Sequence, residues 1–353
     1  MGQYCSVCGK YFDSGLRTTD GRMFCSEECY ETILPRCSVC QKPMRQWTEL
    51  KNGQKVCSDK CYETILPKCS VCKKPMRQWQ ESTDGKQYCS DRCRITDEVN
   101  QERMNKTENC GKYDDYRAVD IAEKLEKLGY TPLDVMVTGV TGAGKSTTLN
   151  TIFSRTVATV GDGVDPETMN IDSYSLNKWL RIWDTPGLGD GIEQDKIHQR
   201  EMKRLLNKTF QRDNKQYGFI DLVIVIIEGS NRDMGTTYKL ISNVINNIPS
   251  NRIIVAVNQA DMAMKGRHWN ENESQPDDTL KAFLEEQAES IQRRIKEATG
   301  KNIRMPVYYS AKKQYNIEAF IDSIIDSIPK MKRTITMGRA FRNLRDELPY
   351  SRL

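Results

Sequence analysis

The sequence predicts an α/β domain that is preceded by three small units with four cysteines each. Short apolar runs alternate with helical patterns over the last two thirds of the chain, which is typical of buried parallel strands connected by helices. The first of these runs leads into a glycine-rich loop, G-x-x-x-x-G-K-S. Twelve of the thirteen cysteines lie in the first 93 residues and repeat with one spacing.

Length and composition limit the classes of protein to consider. The chain has 353 residues, of which 38% are hydrophobic and 29% charged, and this length suggests two or three domains. It has no apolar run of about 18 residues, so we expect no membrane span. The N-terminus does not resemble a secretory signal. We therefore expect a cytoplasmic protein, in which thiols stay reduced and clustered cysteines bind metal.

Twelve cysteines form three sets with the spacing C-x2-C-x16-C-x3-C and a repeat length of 32 residues. The sets are Cys5, Cys8, Cys25 and Cys29; Cys37, Cys40, Cys57 and Cys61; and Cys69, Cys72, Cys89 and Cys93. Two close pairs of thiolates suit one tetrahedral Zn²⁺ ion, with about 2.3 Å to each sulfur. We expect three structural zinc sites, in fingers spanning residues 1–32, 33–64 and 65–95. Because such short units bury little core, metal binding should supply much of their folding free energy.

The residues between the cysteine pairs predict the fold of each unit. An Asp-Gly or Asn-Gly turn precedes every second pair, which predicts a hairpin, and the sequence Cys-Ser-x-x-Cys suits a helix start. A knuckle, a hairpin and a helix that carries the last ligand describe a treble-clef finger. The units resemble the MYM, TRASH and YHS-type fingers, whose second pair is also written C-S-x-x-C.

Three residues of the cysteine-rich region and its surroundings lie outside the metal pattern. Trp47 and Trp79 occupy matching places in the second and third units, and we expect them to be core residues. An exposed Trp there would instead be an anchor for a partner. Cys110 lies beyond the three sets and is expected to be a free thiol.

The formal net charge of +5 changes if zinc binds. Twelve thiolates and three Zn²⁺ ions would bring it to about −1, since a metal-bound thiol is deprotonated. The overall charge therefore gives no argument for nucleic-acid binding. The last segment, residues 330–353, has seven basic and two acidic side chains.

The glycine-rich loop is a P-loop between a strand, LDVMV, and a helix. Its backbone amides wrap phosphates, the lysine reaches the β- and γ-phosphates and the serine binds Mg²⁺. The nucleotide-binding residues predicted here are Gly139, Thr141, Gly142, Ala143, Gly144, Lys145, Ser146 and Thr147.

Three further motifs follow in order, each at the end of an apolar run where open α/β sheets bind ligands. Asp184-Thr-Pro-Gly187 is a D-x-x-G motif, in which Asp184 would hold Mg²⁺ through water and the Gly187 amide would sense the γ-phosphate. Asn258, Gln259 and Asp261 match the guanine-reading motif N-K-x-D, and Ser310, Ala311 and Lys312 match S-A-K. Asp261 can accept hydrogen bonds from guanine N1 and N2, which adenine does not offer.

Residues 131–329 thus resemble the G domain of translation-factor-related GTPases, closest in style to Era-like proteins. The resemblance implies a mixed, mostly parallel six-stranded sheet, GTP hydrolysis with Mg²⁺ and switch loops that respond to the nucleotide. It also implies catalytic roles for Lys145, Gly187 and a switch I threonine that binds Mg²⁺ together with Ser146 and Asp184. We assign that threonine to Thr168, with Thr156 and Thr159 as alternatives.

This chain departs from the Era-like pattern at three positions. Gln259 replaces the usual Lys, so guanine specificity rests more on Asp261, and ATP use is a further hypothesis. Leu188 stands where many small GTPases have a water-orienting Gln, which predicts slow intrinsic hydrolysis. Gly142 replaces the Asn with which some relatives recruit potassium, so we expect no potassium activation.

The connecting segments are less informative. Residues 96–130 are predicted as a linker followed by a helix that ends at Gly129. Residues 262–278 form a long polar connection, of the kind that is commonly functional or disordered. The basic tail, residues 330–353, places Phe341, Leu344 and Leu348 on one face of an amphipathic helix, which either packs on the G domain or contacts a partner.

We predict a slow GTPase that acts as a nucleotide-dependent switch, with zinc fingers that recruit a partner. The alternative is a zinc-finger scaffold whose G domain binds nucleotide to control assembly with negligible turnover. The fingers interleave acidic and basic residues without a basic stripe, which favours a protein partner over duplex nucleic acid. A homodimer through the G domains, and RNA or membrane contact through the basic tail, stay open as alternatives.

Overall fold

The computed structural model describes residues 2–50, 52–105, 113, 116–129, 131–152, 172–177, 179–189, 191–229 and 234–334. The chain divides into two compact units, Met1–Asp97 and Glu98–Leu353, and each is considered by itself. Among the described helices, none is long and apolar enough to cross a membrane.

The first unit contains three small folds, fingers 1, 2 and 3, one for each cysteine set. Each has a knuckle, a hairpin and a helix in that order. Finger 1 contains β1 (Gln3–Tyr4), β2 (Tyr11–Phe12), β3 (Leu16–Arg17), β4 (Met23–Phe24) and α1 (Glu27–Glu31). Finger 2 contains β5 (Thr48–Glu49), β6 (Lys55–Val56) and α2 (Asp59–Ile65), and finger 3 contains β7 (Gln80–Glu81), β8 (Gln87–Tyr88) and α3 (Asp91–Asn105).

Local sequence accounts for the turns and the helix starts in the fingers. Gly21, Gly53 and Gly85 have φ values of 86°, 82° and 80°, which only glycine adopts readily. The serine before each helix caps it, as Ser58 does by accepting a hydrogen bond from the Cys61 amide at 3.3 Å. The treble-clef order predicted from the sequence is confirmed.

The prediction that the two tryptophans are core residues is wrong. Trp47 and Trp79 are 43% and 45% exposed. Met44, three residues earlier, takes the buried place beside Cys37 and Val56 and is only 2% exposed. Because the small core of finger 2 is already filled, Trp47 lies outside it.

The second unit is built on a six-stranded sheet. Its elements in chain order are α4 (Ala118–Lys127), β9 (Leu133–Gly139), α5 (Lys145–Ile152), β10 (Asp172–Asn177), β11 (Leu180–Asp184), α6 (Ile192–Asn207), β12 (Thr209–Arg212), β13 (Lys215–Gly218), β14 (Leu222–Glu228), α7 (Gly235–Lys239), β15 (Ile253–Asn258), β16 (Trp269–Asn270), β17 (Gln275–Pro276), α8 (Asp278–Thr299), β18 (Val307–Tyr308) and α9 (Ile317–Ser327). The strand order is β10-β11-β9-β14-β15-β18. Only the β10–β11 pair within this sheet is antiparallel. The mixed, mostly parallel sheet is as predicted.

Helices cover both faces of the sheet. On one face α6, a π-helical stretch after α7 (Leu240–Val244) and α8 share a core with β9, β14 and β15. On the other, α5 and α9 are joined to the sheet through Tyr309, which stacks on Phe320 with ring centroids 4.8 Å apart. The Tyr309 hydroxyl also lies 2.7 Å from Thr148 on α5. The central strands, such as β9, are therefore buried along their whole length.

The predicted helix before the first strand is α4, and Gly129 follows it with a φ of 68°. This helix is tied to α9. The Arg117 guanidinium lies 2.7 Å from Asp322, and the Lys124 ammonium donates to the Ile325 carbonyl at 2.6 Å.

The start of the basic tail is held in the second unit. The Lys332 ammonium lies 2.8 Å from Asp221, a carboxylate that is 0% exposed. Burial raises the pKa of Asp221, although Lys332 opposes that shift. Arg333 donates to the Leu206 carbonyl at 2.6 Å, and burial lowers its pKa to about 10. Two of the seven basic residues of the tail, Lys332 and Arg333, therefore make structural contacts within the second unit. Phe341, Leu344 and Leu348 lie outside the described residues, as does Cys110.

The long polar connection after β15 is folded rather than extended. A 3₁₀ segment, Ala260–Gly266, leads into the β16–β17 hairpin. The Trp269 ring packs edge-on against Tyr315, with centroids 5.5 Å apart. His268 pairs with Asp277 at 2.8 Å, so neither aromatic residue of this loop is placed as a catalytic group.

Candidate functional site

The P-loop connects β9 to α5 at the carboxyl edge of the sheet. Gly142 and Gly144 have φ values of 86° and 83°, so the loop needs glycine at both positions. Lys145 begins α5, and its ammonium donates to the Val140 carbonyl at 3.2 Å. Ser146 and Thr147 are exposed on the first turn of α5. A loop that ends at a helix N-terminus favours bound phosphate.

The D-x-x-G segment packs directly on the P-loop. Asp184 ends β11, which pairs with β9 in parallel. The Leu188 amide donates to the Gly139 carbonyl at 3.2 Å, and the Thr141 amide donates to the Leu188 carbonyl at 2.8 Å. A Cβ atom on Gly187 would lie only 2.8 Å from the Thr141 backbone nitrogen. Only glycine therefore allows the two loops to approach so closely.

Asn258 at the end of β15 joins three loops. Its side-chain amide donates to the Ala143 carbonyl of the P-loop at 3.0 Å, and its side-chain oxygen accepts from the Ala311 amide at 3.0 Å. Gln259 donates to the Gly142 carbonyl at 3.1 Å. The residue that departs from N-K-x-D thus still contacts the P-loop. The P-loop, the D-x-x-G segment and the two base-reading segments are brought together at one edge of the sheet.

Asp261 is a buried carboxylate of this edge, with one oxygen unsatisfied within the described part of the chain. Its side chain is buried, with 6% exposure, and its Oδ1 atom has no hydrogen-bond partner among the described residues. A buried carboxylate oxygen without a donor costs free energy. A bound base with two N–H groups would supply the missing donors. Ser310 and Ala311 of the last motif are buried, and Lys312 is exposed.

The magnesium site is only partly described. Ser146 and Asp184 end up on neighbouring segments, at the start of α5 and the end of β11. A hydroxyl and a carboxylate at these places fit a Mg²⁺ ion bound with a nucleotide. The predicted switch I threonine, Thr168, and its alternatives Thr156 and Thr159 lie outside the described residues.

One group at this edge was missed by the sequence analysis. His198 on α6 is 9% exposed, and its Nδ1 atom lies 2.8 Å from the Gly187 carbonyl. The available signal was its place on the buried face of α6, which continues as Met202, Leu205 and Leu206. A histidine in an otherwise mostly apolar stripe needs a polar partner, but the sequence does not say which.

Each cysteine set forms one compact cluster. Within every set the four sulfur atoms lie within 4.8 Å of one another. In finger 2, Cys57 Sγ is 3.5 Å from Cys40 Sγ and 3.6 Å from Cys61 Sγ. These separations are close to the roughly 3.8 Å between sulfurs of a tetrahedral zinc site and too long for a disulfide, whose S–S bond is about 2.05 Å. The donors therefore fit zinc.

The thiols within one set have opposed pKa shifts. A backbone amide of the knuckle, that of Cys40, lowers the pKa of Cys37 to about 6. The neighbouring Cys40 thiol raises the pKa of Cys57 to about 12. The same opposition occurs in finger 1 between Cys5 and Cys25. A bound metal deprotonates its thiol ligands, so zinc would remove this opposition.

Consecutive fingers are connected by a repeated joint. Arg45 of finger 2 lies 2.6 Å from Glu27 on α1 and 5.9 Å above the ring of Tyr30. Arg77 of finger 3 takes the equivalent place at α2, 3.9 Å from Asp59 and 5.5 Å above the ring of Tyr62. The exposed ion pairs contribute little by themselves, but arginine over an aromatic ring adds a cation–π contact.

Comparison with known proteins assigns the second unit. Residues 134–259 match the model of a family described as 50S ribosome-binding GTPase. The chain carries a P-loop GTPase domain. The four motifs of this domain resemble those of the translation-factor-related class, and the three four-cysteine clusters fit treble-clef zinc fingers.

Curated relatives match part of the chain. GTPase Der of Orientia tsutsugamushi (strain Ikeda) is 23% identical over 208 residues, which cover 58% of this chain and 40% of that protein. Neuronal-specific septin-3 of Danio rerio is 31% identical over 106 residues, covering 27% of this chain and 29% of the septin. The chain thus spans less than half the length of these relatives.

Among solved structures, Toc33 from Arabidopsis thaliana in complex with GDP and Mg²⁺ resembles the GTPase domain with a TM-score of 0.45 and 16% identity, over 64% of this chain and 96% of that chain. Era from Aquifex aeolicus bound to GDP.AlF4⁻ gives a TM-score of 0.35 and 15% identity, over 58% and 62%.

Proposed function

We propose that the protein binds GTP with Mg²⁺, hydrolyses it to GDP and phosphate, and acts as a nucleotide-dependent switch. The observation that carries this proposal is Asp261, a buried carboxylate with one oxygen unpartnered among the described residues, beside a P-loop to which Asn258 and Gln259 are bonded. That arrangement suits a guanine base whose phosphates lie in the P-loop.

The residues at the carboxyl edge of the sheet would have distinct roles in binding the phosphates and Mg²⁺. Lys145 neutralises the β- and γ-phosphates, Ser146 and Asp184 bind Mg²⁺, and the Gly187 amide contacts the γ-phosphate. Thr168 remains our assignment for the switch I ligand. Water attacks the γ-phosphorus, the bond between that phosphorus and the β–γ bridging oxygen breaks, and GDP leaves. The proton of the attacking water passes to the phosphate released and then to solvent. Catalysis of this kind consists mainly of positioning and electrostatic stabilisation.

Substitution of Asp261 tests whether the site prefers guanine to adenine. We expect Asp261→Ala to lose the preference for GTP over ATP, because no other described residue of the motif offers a carboxylate to guanine N1 and N2. Losing two hydrogen bonds to a charged acceptor should weaken GTP binding about 100-fold. Competition of GTP and ATP against a fluorescent GDP derivative measures the preference. Asp278→Ala, at an exposed helix start, is the matched control. Equal competition by ATP in the wild type would contradict guanine specificity.

Intrinsic turnover should be slow. Leu188, which follows the D-x-x-G motif, is 1% exposed and apolar, so its side chain does not orient water. A partner or a second copy bound through the G domains would then complete the site. The test is phosphate release over many turnovers at saturating GTP, measured at low and at high protein concentration. Release over many turnovers supports the switch, and negligible release supports the scaffold. No potassium effect is expected.

We infer that the three clusters bind Zn²⁺ and that the fingers recruit a protein partner. Support comes from Trp47 and Trp79, large apolar rings that are nearly half exposed at matching places. Lys55 lies 5.1 Å above the Trp47 ring. Exposed tryptophans are common binding anchors. We further propose a cytoplasmic location, where zinc-bound thiols are not oxidised.

Replacement of both tryptophans tests recruitment. In a pull-down, we expect the double variant Trp47→Ala with Trp79→Ala to capture at least tenfold less partner than the wild type. Each anchor residue contributes about 1–2 kcal/mol or more to binding. The neighbouring Gln46→Ala with Gln78→Ala is the control. Zinc content should stay unchanged in both. Capture that disappears with nuclease would indicate RNA instead, and capture by the double Trp variant at the wild-type level would rule out this surface.

A further inference from the structure

The Nδ1 atom of His198 lies 2.8 Å from the Gly187 carbonyl oxygen, within hydrogen-bond distance. A carbonyl oxygen only accepts hydrogen bonds, so Nδ1 of His198 must carry the proton. The other ring nitrogen, Nε2, lies 2.9 Å from the side-chain nitrogen of Gln194. In the neutral ring Nε2 accepts the hydrogen bond that Gln194 donates. Both nitrogens of His198 are therefore engaged.

The Gly187–Leu188 peptide group is held from two sides. His198 donates to its carbonyl, and its N–H, which belongs to Leu188, donates to the Gly139 carbonyl at 3.2 Å. Two residues on, the Gly189 amide donates to Asp195 at 2.8 Å. Helix α6 thus forms two hydrogen bonds with the D-x-x-G segment and the residues after it. They come from His198 and Asp195, which are three residues apart on one face of the helix.

The amide of Gly187 itself behaves differently. Its N–H donates to no backbone carbonyl among the described residues. This is the amide that contacts the γ-phosphate in the proposed function. Its orientation depends on the backbone torsions of the D-x-x-G segment, and the carbonyl of the same residue is fixed by His198. The histidine therefore affects the orientation of the Gly187 amide through the backbone of Gly187.

We propose that His198 is a positioning residue for the γ-phosphate: by holding the Gly187 carbonyl, it orients the Gly187 amide and couples it to α6. This inference rests on the proposed function. His198 is not a general base, because Nδ1 carries its proton to a carbonyl and Nε2 is occupied by Gln194. GDP has no γ-phosphate, so its binding does not depend on this orientation.

Three substitutions separate positioning from packing. His198→Leu removes both ring nitrogens and extends the apolar stripe of Met202, Leu205 and Leu206, so it should fold. His198→Asn keeps a donor at the place of Nδ1, and His198→Gln places one at Nε2 instead. Lys196→Leu, on the exposed side of α6, is the control.

The test is titration of the full chain with GTPγS and with GDP, both with Mg²⁺. For His198→Leu we expect affinity for GTPγS to fall about fivefold, the effect of one lost hydrogen bond, with GDP affinity within twofold of wild type. His198→Asn should restore GTPγS binding, and His198→Gln should not. Unchanged affinities, equal losses for both nucleotides, or no rescue by Asn would each overturn the proposal. A wild type that binds neither nucleotide would instead remove the proposed function itself.

Discussion

Lys145→Ala should abolish nucleotide binding, with affinities for GTP and GDP at least about 100-fold weaker than in the wild type. The ammonium is the one P-loop side chain with a full positive charge, and truncating one partner of a desolvated charge pair costs about 2–5 kcal/mol. This group donates to the Val140 carbonyl at 3.2 Å, so the loop holds it next to the phosphate-binding amides. Equilibrium titration with fluorescent GTP and GDP derivatives measures the loss.

The control for this substitution is Lys215→Ala, an exposed lysine of β13 outside the nucleotide-binding loops. It should bind both nucleotides as the wild type does. The melting temperature of Lys145→Ala should stay close to that of the wild type, because only one half-buried side chain is removed. GTP affinity that survives in Lys145→Ala would contradict the whole assignment of the P-loop.

The second large effect should come from removing a zinc ligand. Cys37→Ser should lower the zinc content from three ions per chain to two and unfold finger 2. Cys37 is fully buried, and its sulfur belongs to the core formed with Met44 and Val56. Structural zinc contributes about 10–16 kcal/mol to the folding of small fingers. Metal analysis and the fluorescence of Trp47 measure the two changes.

The thirteenth cysteine provides the matched comparison for the zinc ligands. Cys110→Ser should leave zinc content and fluorescence unchanged, since Cys110 belongs to none of the three sets. A zinc-selective chelator, added with Mg²⁺ in excess, should unfold all three fingers while GTP binding persists, because the GTPase domain has a separate hydrophobic core. Three zinc ions retained by Cys37→Ser would show that the metal assignment is wrong.

Most of the fold was predictable because its signals are local. The apolar runs became β9, β11, β14, β15 and β18, since a strand buried on both faces needs a continuous apolar sequence. The cysteine spacing likewise predicted the clusters, because a tetrahedral ion demands two close pairs. The P-loop and the base-reading segments came together because each ends a parallel strand at the same edge.

Features that depend on packing between distant segments were not predictable. The β12–β13 hairpin turns at Asp213 and Asn214, with φ values of 50° and 58°, but its short strands lack a strong apolar pattern. Trp47 is exposed because Met44 already fills the small core of finger 2. The role of His198 depended on Gly187, eleven residues away and in another segment. Sequence periodicity reports that a face is buried but not what lies against it.

The joint between fingers also determines how the array can grow or shorten. Finger 2 carries both halves of the joint, Arg45 towards finger 1 and the Asp59–Tyr62 side towards finger 3. One repeat away, Asp13 replaces the arginine in finger 1, and Arg94 replaces the tyrosine in finger 3. Finger 1 therefore lacks the arginine half of the joint, and finger 3 lacks the tyrosine half. Duplication or deletion of residues 33–64 would change the length of the stack by one whole module and leave every joint matched.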